Sequence, residues 1–334
     1  MKRALLAGMA ALLLAGAAQA EPVILKFAID QPSNSRNYKG WFLPWMEEIE
    51  KASNGTIKWE QYPDGTLGKV GDTIDRVASG IAHAGWDIPP NYGQRYASLA
   101  VASLPGIHQD SVKASAALWR SYTKNIIGHE FSAVKLLAVW VGPPVNLFLR
   151  EKIDNPADLS GLKIATGSKE RVQMIAAMGG TPVGLSVSEY YQALQKGVVD
   201  GVLTSWAPVW NNKLSDHITA VYPGPYGGGG PVIVMNKEAY ESLPPDGKKA
   251  IDDLGGEYAS KSAAQYLADI EIKNRDDVLA DPNKHSYDMT PEQLEVWQEK
   301  AFGPVIENWV KNTPRGQEMY DSMKAELAKL QSGS

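Results

Sequence analysis

Short apolar runs alternate along this chain with segments whose apolar residues recur at helical spacing. "VILKFAI" (23–29) reads as a buried strand, and the polar loop "DQPSNSR" follows it. Next, Tyr38, Trp41, Phe42, Trp45, Met46 and Ile49 fall on one face of a helix stopped by Gly55, so that face is expected to pack on a sheet. A second helix around 70–79 ends at Gly80 and gives way to the strand-like "IAHAGWDI". The second half repeats the rhythm. "GLKIAT" is a strand and "SKERVQMIAAM" a helix stopped by Gly179-Gly180. "SVSEYYQALQKG" is a helix with Ser186 and Glu189 at capping-box spacing, and "VVDGVLTSW" is a strand. "VASGIAHAGW" (77–86) and "LQKGVVDGVL" (194–203) share one pattern: helix end, glycine, strand. The pattern predicts two α/β domains built alike.

"YPGPYGGGGPVIVMN" (222–236) is the expected connection between them, because four consecutive glycines leave the backbone free to swivel. A phosphate-cradling loop would need a helix N-terminus after the glycines, and a strand-like run follows instead. From Lys237 the chain reads as helices that brace the two domains. Thr290-Pro291-Glu292-Gln293 and Thr313-Pro314 look like helix starts, with Thr as N-cap and Pro in the first position.

Composition narrows the function. Lys2 and Arg3, an apolar run and Ala18-Gln19-Ala20 have the form of a secretory signal peptide over residues 1–20. The run is shorter than the roughly 20 apolar residues that span a bilayer, so a soluble periplasmic protein is expected after cleavage. Removing the leader takes the formal net charge from -5 to -7, which leaves no footprint for nucleic acid. With no cysteine, thiol chemistry and thiolate metal sites are excluded. The five histidines form no i, i+4 pair, and neither HExxH nor G-x-S-x-G occurs. The sequence offers no constellation for an enzyme, so the expectation adopted is a binding protein without metal or cofactor, with an exported α/β enzyme as the rival class.

Aromatic residues at strand ends carry the binding hypothesis. Trp86 and Trp206 close corresponding strands of the two halves, and in open α/β sheets ligands sit outside the carboxyl ends of strands. Tyr92, Trp210 and Tyr226 lie in the loops beyond.

"NPADLSGLKIATG" and "MGGTPVGLSVSEYYQALQKGVVDGVLTSW" resemble the signature region of the substrate-binding proteins of tripartite ATP-independent periplasmic (TRAP) transporters. Pro156, Asp158, Leu159, Gly161, Lys163 and Ile164 match its first part. Glu189, Tyr191, Ala193, Leu194, Gln195, Gly197, Val198, Val199, Asp200 and Gly201 match its second. "GIAHAGW", "GQRY", "LPGI" and "VMNKEAYESLP" resemble further blocks. The resemblance implies a two-domain periplasmic binding protein fold, each domain a mixed sheet flanked by helices, with a ligand cleft between domains and a long bracing helix. Under it, residues 21–144 and 231–270 form the first domain, and 145–230 and 271–334 the second. It implies capture of a small organic acid and delivery to TRAP membrane subunits. A solute-sensing partnership with a membrane receptor is the alternative role.

One position departs from the family. Its usual carboxylate-clamping arginine falls on Ala165. Three readings stay open. In the first, another cation takes over, Arg95 in the lead and Arg171 second, helped by backbone N–H groups from Thr166 to Lys169 where a helix starts. In the second, a neutral or cationic solute lies between Trp86 and Trp206 near Asp87 or Glu189. In the third, the missing guanidinium makes room for a larger ligand. The expectation adopted is a small organic acid with aromatic stacking, and a cleft lined by Trp86, Trp206 and Ala165.

Overall fold

The structure is a computed structural model that describes residues 21–332, leaving out the side chains of residues 90–94. The expected leader over 1–20 and the Tyr92 side chain therefore lie outside the described residues. Eleven strands form two mixed sheets. The first contains β1 (Val23–Ala28), β2 (Ile57–Tyr62), β3 (Ala84–Asp87), β4 (Val134–Val139) and β10 (Val232–Asn236), in the order β2-β1-β3-β10-β4. The second contains β5 (Asn146–Leu149), β6 (Lys163–Thr166), β7 (Thr181–Gly184), β8 (Gly201–Thr204), β9 (Ala220–Pro223) and β11 (His285–Ser286), in the order β11-β9-β5-β8-β6-β7.

Two extended segments cross between the sheets, from β4 to β5 and from β9 to β10, and a helical segment then carries the chain back to β11 of the second sheet. Each arriving strand runs antiparallel between its neighbours: β5 between β8 and β9, β10 between β3 and β4. This exchange makes both sheets mixed. Alternation along each strand then feeds two helix-covered faces. On β10, Val232 and Val234 enter one core and Ile233 and Met235 the other. On the second sheet, Ile164 and Leu203 face one side, and Ala165 and Val202 the other.

The aromatic helix forms as predicted, and all six of its apolar positions are buried. Its first turn, Tyr38–Phe42, is a π-turn leading into Leu43–Ala52, where Pro44 has no N–H for a regular ladder. Gly40 lets this helix meet the long one, since a Cβ there would lie 2.0 Å from the Tyr266 hydroxyl.

The helix Gly256–Leu279 is the long brace. Its Ala259, Ala263 and Ala264 belong to the first sheet's core, and Val278 belongs to the second sheet's. No helix among the described residues is long and apolar enough to cross a membrane.

The C-terminal region departs from the expected division. Trp297, Phe302 and Val305 do enter a core of the second sheet. The last helix, Gly316–Ser332, instead returns to the first sheet's side, where Met319, Met323 and Leu327 join its core. The helix start expected at Thr313-Pro314 is also displaced. Thr313 ends the preceding helix, and Arg315 takes a left-handed φ of 58° before the new helix opens at Gly316. By contrast, the capping boxes at Ser186/Glu189 and Thr290/Gln293 are both formed.

The two crossings pair with each other. Gly142 N–H donates to Gly229 O (2.8 Å), Val145 N–H to Gly227 O (3.0 Å) and Trp140 N–H to Pro231 O (3.2 Å). The glycines serve close approach here as well as freedom. A Cβ on Gly228 would stand 2.2 Å from Gly142 O, and one on Gly227, at φ 81°, would stand 2.0 Å from Ser103 O.

Candidate functional site

Strands β1, β3 and β4 run parallel, so their carboxyl ends open on one side of the first sheet. Trp86 is the penultimate residue of β3 and Trp140 directly follows β4. Together with Trp41 and Phe42 they wall a cavity of about 50 Å³, which Pro231, Ala263, Tyr266 and Leu267 close. Gln31, from the loop after β1, and Asn37, at the start of the helix that follows, are its amide-bearing lining residues. The rings pack as a box: Trp41 lies 5.5 Å from Trp140, and Phe42 stands nearly edge-on to Trp86 at 6.2 Å and 80°. Among the described residues neither the Trp86 nor the Trp140 indole N–H has a hydrogen-bond partner, although both are shielded from solvent. Buried donors are normally satisfied, so two orphan donors beside one apolar cavity leave hydrogen-bonding capacity for an incoming acceptor.

The second sheet presents a different surface. Ala165 is fully buried against Tyr190, Val202 and Trp206, and the Thr166 hydroxyl donates to Leu203 O at 3.4 Å. Trp206 packs edge-on to Phe148 at 4.8 Å and 87°. Its helix, Trp206–Asn211, opens with two N–H groups given to Glu271 of the long helix, from Trp206 at 2.6 Å and Ala207 at 2.8 Å. Burial pushes the Glu271 carboxyl up to about 7, against the opposing pull of those two donors.

Arg171 enters from the helix Lys169–Ala177, which Ser168 caps. Its Nη2 donates to two crossing carbonyls, Gly228 O (3.1 Å) and Gly227 O (3.5 Å). Its Nε is shielded from solvent and unpartnered, and no carboxylate among the described residues forms an ion pair with it. Burial pulls the guanidinium below its ordinary pKa, while the nearby Tyr190 hydroxyl and Glu170 act the other way. A partly buried cation whose Nε is shielded and whose hydrogen bonds go to neutral carbonyls is a place for an anion.

Not every residue singled out in the sequence meets this site. Asp87 is buried with its carboxylate turned to the backbone, accepting from Gly71 (2.8 Å), Ile74 (3.2 Å) and Ile88 (2.7 Å). It scaffolds the start of a helix. Arg95 is half-exposed and paired with Asp75 at 2.6 Å. Glu189 is exposed and caps its own helix, and the Ser186 N–H and hydroxyl hold its carboxyl below the usual range. Tyr226 is fully buried in the second sheet's core against Trp297 and Phe302, its hydroxyl facing Met289 Sδ and its pKa raised by burial. Trp210 is partly exposed, with the Arg36 guanidinium 5.2 Å above its ring. The box residues Trp41, Phe42 and Trp140 were not singled out as site residues. Trp140 carries the strand-end signal that picked Trp86, whereas Trp41 and Phe42 read only as a core face.

The profile of the bacterial extracellular solute-binding proteins of family 7 matches residues 27–312. The chain belongs to this family. Among family-7 relatives, the C4-dicarboxylate-binding periplasmic protein of Rhodobacter capsulatus is 25% identical over 315 residues, covering 93% of each chain. A TRAP solute-binding protein of Rhodoferax ferrireducens, solved with copurified benzoate, superposes with a TM-score of 0.84 at 27% identity, covering 93% of this chain and 99% of its own. A TRAP protein of an unidentified marine microbe, specific for aromatic acid ligands and solved with 3-hydroxybenzoate, gives 0.84 at 28% identity over 93% and 99%. The chain is thus a solute-binding protein of the TRAP type, and its two mixed sheets flanked by helices are the architecture expected from its sequence.

Proposed function

We propose that this protein captures a small aromatic carboxylate in the periplasm, between two domains that meet at the crossings, and delivers it to TRAP membrane subunits. In this reading the ring lies against the box of Trp41, Phe42, Trp86 and Trp140, and the carboxylate meets Arg171. The observation that carries it is the shielded, unpaired Nε of a guanidinium with no counter-ion among the described residues. Arg171 also grips the same crossing that lines the box three residues later at Pro231. The benzoate and 3-hydroxybenzoate held by the two similar structures support the same class of solute. Ala165 then marks a cation relocated from the strand end to the first turn of the next helix, and the solute stays an acid.

A neutral or cationic solute gains nothing from Asp87 or Glu189, whose carboxylates are held by local N–H and hydroxyl groups. At about 50 Å³ the space enclosed by the box is smaller than the roughly 150 Å³ cavity that takes benzene. The ring is therefore expected to enter as the two domains part.

Calorimetric titration with benzoate and 3-hydroxybenzoate tests the proposal. Arg171→Ala is expected to weaken binding by about a hundredfold or more, as befits loss of a desolvated ionic contact, while Arg95→Ala stays within about twofold. Unchanged affinity in Arg171→Ala would remove the assigned anion contact. Failure of the wild type to bind any aromatic acid would remove the solute class.

A further inference from the structure

We infer that Arg36 is a positioning residue that clasps the first sheet's unit onto the second across the solute cavity. Arg36 opens the helix after β1, next to Asn37, which lines the cavity. Its guanidinium reaches three groups at once. Nη1 donates to Asn274 Oδ1 at 2.9 Å, Nη2 stands 3.7 Å from Asp277 Oδ2, and the planar head lies 5.2 Å above the Trp210 ring.

All three partners are tied to the second unit. Trp210 rides on the helix Trp206–Asn211, whose first N–H groups are held by Glu271. Asn274 and Asp277 follow Glu271 at successive turns of the long helix, in the half that ends at Val278 in the second core. Arg36 itself is fixed on the first unit, since Tyr266, another wall of the cavity, donates its hydroxyl proton to Arg36 O at 2.7 Å.

Burial makes this more than a surface contact. Asn274 is only 1% exposed, and Arg36 supplies the hydrogen bond to its amide oxygen. Parting the units by sliding this loop off the long helix would bare that oxygen and uncover the Trp210 face. An unmade buried hydrogen bond is costly, and a guanidinium stacked on an indole is a favourable contact even at a partly exposed site. The aromatic box alone is too small for a ring, so solute must enter while the clasp is released and be retained when it re-forms.

The inference rests on the aromatic-acid reading only for its choice of probe, and the experiment separates the two. The chain has no cysteine, so Lys58→Cys on β2 and Lys196→Cys beyond the second unit's helix Tyr190–Gln195, both exposed, take spin labels uniquely. Pulsed electron resonance between them is expected to show a longer mean distance in Arg36→Ala than in wild type without solute. Arg36→Lys, which keeps a cation over Trp210 but loses the fork, should fall between.

With benzoate as probe, Arg36→Ala should release solute about tenfold faster with little change in the on-rate. Trp210→Ala, at a partly exposed position whose loss does not threaten folding, should reproduce the effect. The double variant should be no worse than the poorer single one. Unchanged distances with unchanged benzoate release in both variants overturn the clasp, as do strictly additive effects. A lengthened distance in a protein that binds no aromatic acid would uphold the clasp and discard the solute class.

Discussion

The two halves of the site solve different problems with the same fold. At the ends of β1, β3 and β4 the first unit offers rings and, among the described residues, two indole donors without a partner and no charged side chain lining the cavity. At the end of β6 the second unit is packed solid around Ala165 and Trp206, and its contribution is one shielded cation, Arg171, drawn onto the crossing. Under the proposed assignment one half supplies shape and the other charge, which fits a solute with a flat apolar body and an anionic end. The equivalence of Trp86 and Trp206 suggested by sequence is thus topological only: both close strands, but one walls a cavity and the other fills a core.

The largest effect is expected where the halves join. Gly227→Ala would place a Cβ 2.0 Å from Ser103 O in a left-handed conformation, on the residue whose carbonyl accepts from Val145 and Arg171. A loss of roughly 3–5 kcal/mol in chemical denaturation is predicted, because backbone cannot yield as a side chain can. A loss under about 1 kcal/mol would mean that the crossings tolerate separation and do not fix the two halves against each other.

A smaller effect belongs to the second half alone. The folded-state pKa of Glu271 lies near 7, above the ordinary carboxyl value, so the folded protein holds this proton more tightly than the unfolded chain does. The stability it contributes is complete below about pH 4.5 and is lost as pH rises through 7. Thermal melts of wild type and Glu271→Gln should therefore diverge by about 2–3 kcal/mol between pH 4.5 and pH 8, with the wild type losing ground as pH rises. Parallel pH profiles would show that the two backbone donors, not burial, govern this carboxyl.

The architecture was legible because its signals are periodic and local. The apolar face from Tyr38 to Ile49, the glycines that end helices and the paired Ser186 and Glu189 each specify an element within a few residues. The site was less legible because local partners capture polar side chains before any ligand does. Asp87 is taken by three N–H groups, Arg95 by Asp75 twenty residues back and Glu189 by the serine that it caps. Only for Glu189 does the local sequence announce the capture, through its capping-box spacing from Ser186. In the sequence Arg171 stands second to Arg95 as the anion contact, and its hydrogen bonds to the crossing carbonyls are tertiary contacts that no local pattern announces. The aromatic helix concealed Trp41 and Phe42 for the opposite reason: residues that cover a sheet and residues that wall a cavity share the same spacing. The return of the last helix to the first sheet is likewise a tertiary choice, made where Arg315 turns the chain through a left-handed residue.

The smallest effect tests the first half's donors against its shape. Trp86→Phe keeps an aromatic wall but deletes an indole N–H that has no partner among the described residues. Removing an unsatisfied buried donor relieves a cost, and the smaller ring leaves a void, so the two terms oppose and stability should change by less than about 1 kcal/mol. Binding should respond differently, because the donor is then missing when the acceptor arrives: affinity for benzoate is expected to fall about tenfold, near 1.4 kcal/mol. Trp41→Phe provides the contrast within the same box. Its indole N–H already donates to Ser262 Oγ at 3.2 Å, so its loss should leave benzoate affinity within about twofold while lowering stability. If titration instead ranks Trp41→Phe as the weaker binder, the box acts by contact area, and the free N–H groups of Trp86 and Trp140 are incidental to recognition.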